Sequence, residues 1–185
     1  MIKNLVFLLE EYSAKELLTA ILPKLLSEEI TAFYMVFEGK QDLERRLVNR
    51  MKGWQKADSA FIILRDQDGG DCLRVKQKLI GLCQQANRPT FLVRIACHEL
   101  ESFYLGDLQA VERGMGVTGL ARQQRTRKFK TPDLLSDPAE ELVRLTRGKY
   151  QKISGSRAIA PHIDLAGNCS DSFNALVAGI RKLVW

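Results

Sequence analysis

Four short apolar runs, each followed by a stretch with helical spacing, constrain this chain more than any other feature. The runs are "NLVFLLE" (4–10), "TAFYMVFEG" (31–39), "SAFIILRD" (59–66) and "TFLVRIA" (90–96). They are strand-sized and nearly continuous in apolar character, the pattern of strands buried on both faces in a parallel sheet. Between them, Leu17, Leu18, Ile21, Leu25 and Leu26 recur at helical spacing, as do Leu43, Leu47, Val48 and Met51, and then Leu73, Leu79, Ile80 and Cys83. Parallel neighbours need crossover connections, and these run right-handed. The expected fold is therefore α/β, a parallel sheet of about four strands with helices on both faces.

Local signals refine this. Ser13 and Glu16 have the spacing of a capping box at the start of the first helix, and Pro23 predicts its kink or interruption. "ELESFYLGDLQAVERG" reads as one helix. Beyond residue 114 the periodicity fades through "VTGLARQQRTRKFKTPDLLS". Asp137, Pro138 and Glu140 then mark a helix start, and 153–157 reads as a Gly/Ser turn. Phe173, Leu176, Val177, Ile180 and Val184 define a last helix, capped near Ser170 or Asp171. The expected division is an α/β core at 1–113 and a helical extension at 114–185, packed together as one compact domain.

Composition excludes several classes. With 45% hydrophobic and 27% charged residues the chain is globular rather than disordered. No apolar run reaches the ~18 residues of a membrane helix, and the N-terminus lacks the marks of a signal peptide. Four cysteines without a C-x-x-C pair, and only two histidines, argue against zinc and against a disulfide framework. The expected compartment is cytoplasmic, with no membrane partner. The net charge of +6 favours an anionic partner. Arg122, Arg125, Arg127, Lys128 and Lys130 concentrate it in "ARQQRTRKFK" without an acid, as a solvated loop or as a phosphate-backbone contact.

The acids are placed more tellingly. In open parallel sheets, ligands bind beyond the carboxyl ends of the strands. The first strand ends at Glu10 and Glu11. The third ends at Asp66-x-Asp68, with Asp71 beyond, and the fourth runs into His98-Glu99-x-Glu101. Carboxylates held together repel unless a cation sits between them, and an oxygen-only set suits Mg²⁺ or Mn²⁺. Gly69 and Gly70 permit a sharp turn after Asp68. Plainer readings stand beside this one: an Asp-Gly turn, Asp71 as a helix N-cap, Glu99 and Glu101 as first-turn charges, and His98 as a structural neighbour. An EF-hand is excluded, because the sixth and twelfth positions from Asp66 are Asp71 and Gln77, where Gly and Glu are required. A haloacid-dehalogenase site would carry its D-x-D after the first strand. A receiver domain needs a lysine ending a fifth strand, which the chain lacks.

A strand ending in Glu followed by a strand ending in D-x-D resembles the Toprim domain of primases, topoisomerases and the overcoming-lysogenization-defect nucleases. "LVFLLEEYSAKELL" looks like its Glu motif and "FIILRDQDGGDC" like its D-x-D motif. With "RIACHELESFYLGDL", "SGSRAIAPHIDL" and "CSDSFNAL", most of the chain resembles Toprim-like bacterial proteins of unknown function. Those are often encoded beside an AAA- or ABC-type ATPase in phage-defence loci. The resemblance implies a Toprim-like (Rossmann-like) sheet and Mg²⁺- or Mn²⁺-dependent phosphodiester hydrolysis. Glu10 would be metal ligand or general acid/base, and Asp66 and Asp68 would hold the ion or ions. Glu101 would be a further acid, with Phe103 where an aromatic is usual. Glu11, Asp71 and Glu99 are additional possible metal ligands. Lys149, Lys152 and Arg157 would bind the phosphate backbone together with the 121–130 run. One departure is Glu11, which stands where a small residue is usual and adds a charge beside the site. The implied partners are DNA or RNA, an AAA/ABC-type ATPase and further copies of the chain. The alternative is a catalytically inactive regulatory or scaffold subunit of the same fold.

Overall fold

The four apolar runs pair as one all-parallel sheet, with the second run at one edge, then the first, the third and the fourth. In the computed structural model, which describes residues 1–185, the strands are β1 (Asn4–Leu9), β2 (Thr31–Val36), β3 (Ser59–Asp66) and β4 (Phe91–Ala96). Leu9 lies opposite Leu64, and Asp66 opposite Ala96. β1 and β3 are central, and their side chains alternate between two cores. Leu5, Phe7, Leu9, Ile62 and Leu64 face one, while Val6, Leu8, Phe61 and Ile63 face the other. This is the period of two expected of a strand buried on both sides.

The smaller core is covered by α2 (Lys40–Lys52) and α3 (Cys72–Gln85), through Leu43, Leu47, Met51, Leu79 and Cys83. The larger core lies under α1 (Tyr12–Ile21) and the helices of the C-terminal half. These are α4 (Glu101–Leu105), α5 (Leu108–Met115), α6 (Pro138–Leu145), α7 (Lys152–Ile159) and α8 (Asp171–Val184). α7 packs on α1 and α5, α4 on α6, and α8 on β4. This is a Toprim-like, Rossmann-like architecture with a C-terminal helical extension. No helix is long and apolar enough to cross a membrane.

Several local expectations hold. α1 stops at Ile21 and a 3₁₀ turn at Leu22–Lys24 carries Pro23. Asp71 caps α3 by accepting from the Arg74 amide (2.8 Å), and Ser170 caps α8 by accepting from Phe173 (3.1 Å). Others are corrected. Ser13 lies inside α1 and donates to Glu11 rather than forming a capping box, because the helix begins two residues earlier. Leu73, expected to face inward, is 68% exposed, and the helix buries Leu79 and Cys83 instead. The single helix expected at 99–114 breaks at Gly106, where a Cβ would stand 2.0 Å from Asn168 Oδ1, and Asp107 caps the new helix by accepting from Ala110. The 153–157 stretch is not a turn but the body of α7. Its Gly155 and Ser156 are buried, because small residues let the helix come up against Tyr150.

Candidate metal and phosphate site

β1 leads through α1 to β2 on one side, whereas the chain returns to β3 on the other. The crevice beyond the carboxyl ends of β1 and β3 is therefore the topological switch point of the sheet, the place where open α/β sheets bind ligands. Glu10 follows β1 and Asp66 ends β3, so both stand at its mouth. The Asp66 amide donates to Glu10 Oε2 (3.2 Å). The next turn is drawn back toward β4. Asp68 N donates to the His98 carbonyl (2.9 Å), and both residues have left-handed φ, 56° and 59°. Asp and His tolerate that region better than most side chains, so this path does not need glycine.

The acids do not share one environment. Asp66 is buried, its carboxylate accepts no hydrogen bond, and its pKa is raised well above the usual range by burial and then by Glu11, Glu101 and Glu10. Glu10 is raised by burial and by Asp68, with the Asp66 amide opposing. Glu101 is fully buried at the start of α4 and also raised by burial, against the pull of Lys152 and Tyr150. Its Oε1 accepts from the Tyr150 hydroxyl (2.8 Å), and its Oε2 has no partner, nor has the buried Tyr104 hydroxyl.

Cations answer these charges. Lys152, at the first position of α7, reaches Glu11 Oε2 at 3.3 Å. Burial works against its charge, but Glu101, Glu11 and Asp66 outweigh that and hold its pKa above the ordinary lysine value. Lys40 binds Asp68 Oδ2 at 2.9 Å. Arg65, only 6% exposed, lies 2.6 Å from Glu44, 3.6 Å from Asp68 and 3.7 Å from Glu10. Glu11, the departure from the Toprim pattern, accepts from Ser13 and pairs with Lys152, and its charge acts on both Asp66 and Glu10.

The donor set suits a hard divalent cation: it is oxygen-only, mutually repelling, and includes one buried carboxylate without hydrogen bonds and one unpartnered buried oxygen. As arranged, no three His, Cys, Asp or Glu side chains stand close enough together to hold a metal ion. The remaining acids have other work. Glu99 accepts from the Ala139 amide (2.8 Å) and so caps α6, and Asp71 caps α3.

The basic candidates divide as well. Arg157 forms a two-point pair with Glu16 (2.8 and 2.9 Å), and Lys128 binds Glu141 (2.6 Å). Both are engaged on the surface. Arg125, Arg127 and Lys130 are exposed and make no ion pair. Their loop is anchored by Phe129, which is buried, and by Gln124, which bonds the main chain of Leu105, Leu108 and Phe129. Sequence reasoning missed Arg65, Lys40 and Tyr150. An arginine between a buried run and a D-x-D was a visible signal for the first. The other two reach the site only through the fold.

The family model described as "Domain of unknown function (DUF4276)" matches residues 9–181. No curated protein matches the chain. Among solved structures, the C-terminal region of the Burkholderia pseudomallei OLD protein is similar over 100% of both chains, with a TM-score of 0.61 and 15% identity. At that identity the likeness speaks for the fold.

Proposed function

The chain belongs to the DUF4276 family, and on that footing we propose that it is a divalent-cation-dependent nuclease acting on DNA or RNA phosphodiesters. One observation supports this most directly. Glu10 and the buried, hydrogen-bond-free carboxylate of Asp66 meet at the switch point of a Toprim-like sheet. The similarity to the OLD C-terminal region accords with it at the level of fold.

In this reading Asp66, Glu10 and Glu101, drawn closer together than they stand here, would hold Mg²⁺ or Mn²⁺, with Asp68 alongside. When bound, the ion would activate a water and offset charge on the scissile phosphate. Glu10 Oε2 is fixed by the Asp66 amide, which leaves Oε1 to take a proton from the attacking water. Lys152 exchanges Glu11 for a non-bridging phosphate oxygen and stabilises the charge that builds there. Lys40 and Arg65 orient Asp68 and Glu10. An AAA/ABC-type ATPase would add to the chain's own hold on the substrate.

A second reading, a regulatory or scaffold subunit without activity, draws on a specific feature: Lys40 and Lys152 already neutralise Asp68 and Glu11 without a metal. The deciding experiment incubates supercoiled plasmid and single-stranded RNA with the chain, in Mg²⁺ or Mn²⁺, with and without any AAA/ABC-type ATPase whose gene adjoins its own. Cleavage should fall by ~10²–10⁴-fold in Glu10→Gln and Asp66→Asn. If wild type cuts neither substrate under any of these conditions, or the variants cut as well as wild type, the nuclease reading fails.

A further inference from the structure

A second concave site lies apart from the acids. It is a cavity of about 470 Å³ walled by the turn after α5 and the turn after α6. Arg122, Arg144, Arg147 and Lys149 line it, and no acid does. Arg144 is paired with Glu141 outside the cavity. Lys149 reaches only the Gly116 carbonyl (3.3 Å), and neither Arg122 nor Arg147 bonds any protein group through its side chain. The Arg122 guanidinium instead lies flat over Gly119, 3.4–3.6 Å from where a Cβ would be. The Thr118 and Gly119 amides in the same wall donate to no protein acceptor.

The backbone is also unusual there. Gly116, Gly119 and Gly148 have positive φ (60°, 84° and 80°), and so has Arg147, at 54°. A long side chain in the left-handed region costs energy that glycine avoids, and such strain is retained where the side chain is needed. Three cations without acidic partners repel one another across this cavity. An anion removes that repulsion, and free amides and planar guanidinium groups suit phosphate oxygens.

We infer that this cavity is a phosphate-binding site, which holds a backbone phosphate of nucleic acid a few nucleotides from the acidic crevice. The inference rests on the nucleic-acid reading above. Its spacing comes from the chain itself. Lys149 lines the cavity and Lys152 faces Glu11, three residues on, so their Cα atoms are at most ~11 Å apart. That limit keeps the cavity within a few nucleotides of Lys152 along one strand.

The test is fluorescence anisotropy of the full chain with labelled duplex DNA and RNA, in EDTA, across a salt series. Arg122→Ala with Lys149→Ala should raise Kd about tenfold and reduce the salt slope by about one to two. Arg181→Ala with Lys182→Ala, on the far end of α8, should change neither. Arg147→Gly keeps or raises Tm, because glycine prefers that backbone, yet should weaken binding several-fold. That pairing separates a ligand contact from a structural cap. Wild-type affinity and slope in the pocket variants overturn the inference, as does an equal loss in the α8 variant or a wild type that binds no nucleic acid. A thermal shift by pyrophosphate that is lost in the pocket variant, while nucleic-acid affinity and slope stay at wild-type values, would reassign the cavity to a free phosphate ligand and overturn the nucleic-acid assignment. Because the metal is chelated, cleavage is not read. Binding through the pocket without any cleavage in the plasmid assay sinks the nuclease reading and leaves this one standing.

Discussion

Asp66 sits where three glutamates act on it at once, and burial denies it water. Its raised pKa carries a sign that can be checked. A carboxyl whose folded pKa lies above its unfolded value stabilises the fold fully below the unfolded pKa, and that contribution is lost as pH rises through the folded pKa. Glu10 and Glu101 are raised as well, so all three acids pull stability down toward neutral pH. Asp66→Asn should therefore melt higher than wild type at pH 8, with the difference narrowing toward pH 4. Thermal melts by circular dichroism across that range measure it, and a difference that widens toward acid contradicts the sign. A cation that binds these acids should do for wild type what the amide does for the variant. Mg²⁺ at 100 times its Kd should add about 2.7 kcal/mol to wild-type stability and little to Asp66→Asn. The same residue scale shows why Glu99, Asp71 and Arg157 read ambiguously. A charged residue type in the sequence does not reveal whether its partner is an ion, a helix amide or a neighbouring glutamate.

At the scale of elements, the position of α7 decides where Lys152 points, and α7 is placed by glycine. At Gly114, in α5, a Cβ would stand 2.6 Å from the Ala158 carbonyl and from Ile159 Cα, both main-chain atoms of α7. Neither can swing aside as a side chain tip would. Gly114→Ala should cost ~1–3 kcal/mol in urea unfolding, as overpacking does. Gly81→Ala, on α3 with nothing within 4 Å, should instead stabilise by ~0.4–1 kcal/mol. If the two behave alike, close approach of α5 and α7 is not what Gly114 provides. The elements that sequence periodicity identified were those with clear apolar stripes: the four strands, α1, α2, α3 and α8. It failed at 99–114 and at 153–157, where Gly106 and Gly155 are set by contact with Asn168 and Tyr150 rather than by any local pattern.

At the scale of the molecule, the larger core joins both halves of the chain. Leu17 and Phe7 share it with Tyr150, Ile159, Phe173 and Ile180. A fragment ending at residue 113 would leave Phe103, Tyr104, Leu105 and Val111, all fully buried in the whole chain, with much of their cover removed. We expect that fragment to lack cooperative thermal unfolding and to lose near-ultraviolet circular dichroism. A sharp, reversible melt would show instead that 1–113 folds alone. The sequence by itself determined the strand–helix alternation, the parallel sheet and the order Glu then D-x-D, because burial on both faces writes itself into short continuous apolar runs. Only the tertiary structure decided that β1 and β3 are neighbours at the switch point. It alone decided that Glu99 caps α6, that Lys152 answers Glu11, and that Arg122 and Arg147 wall one cavity. Those pairings join residues tens of positions apart, and their energies depend on distance and exposure, which no local pattern of residue types records.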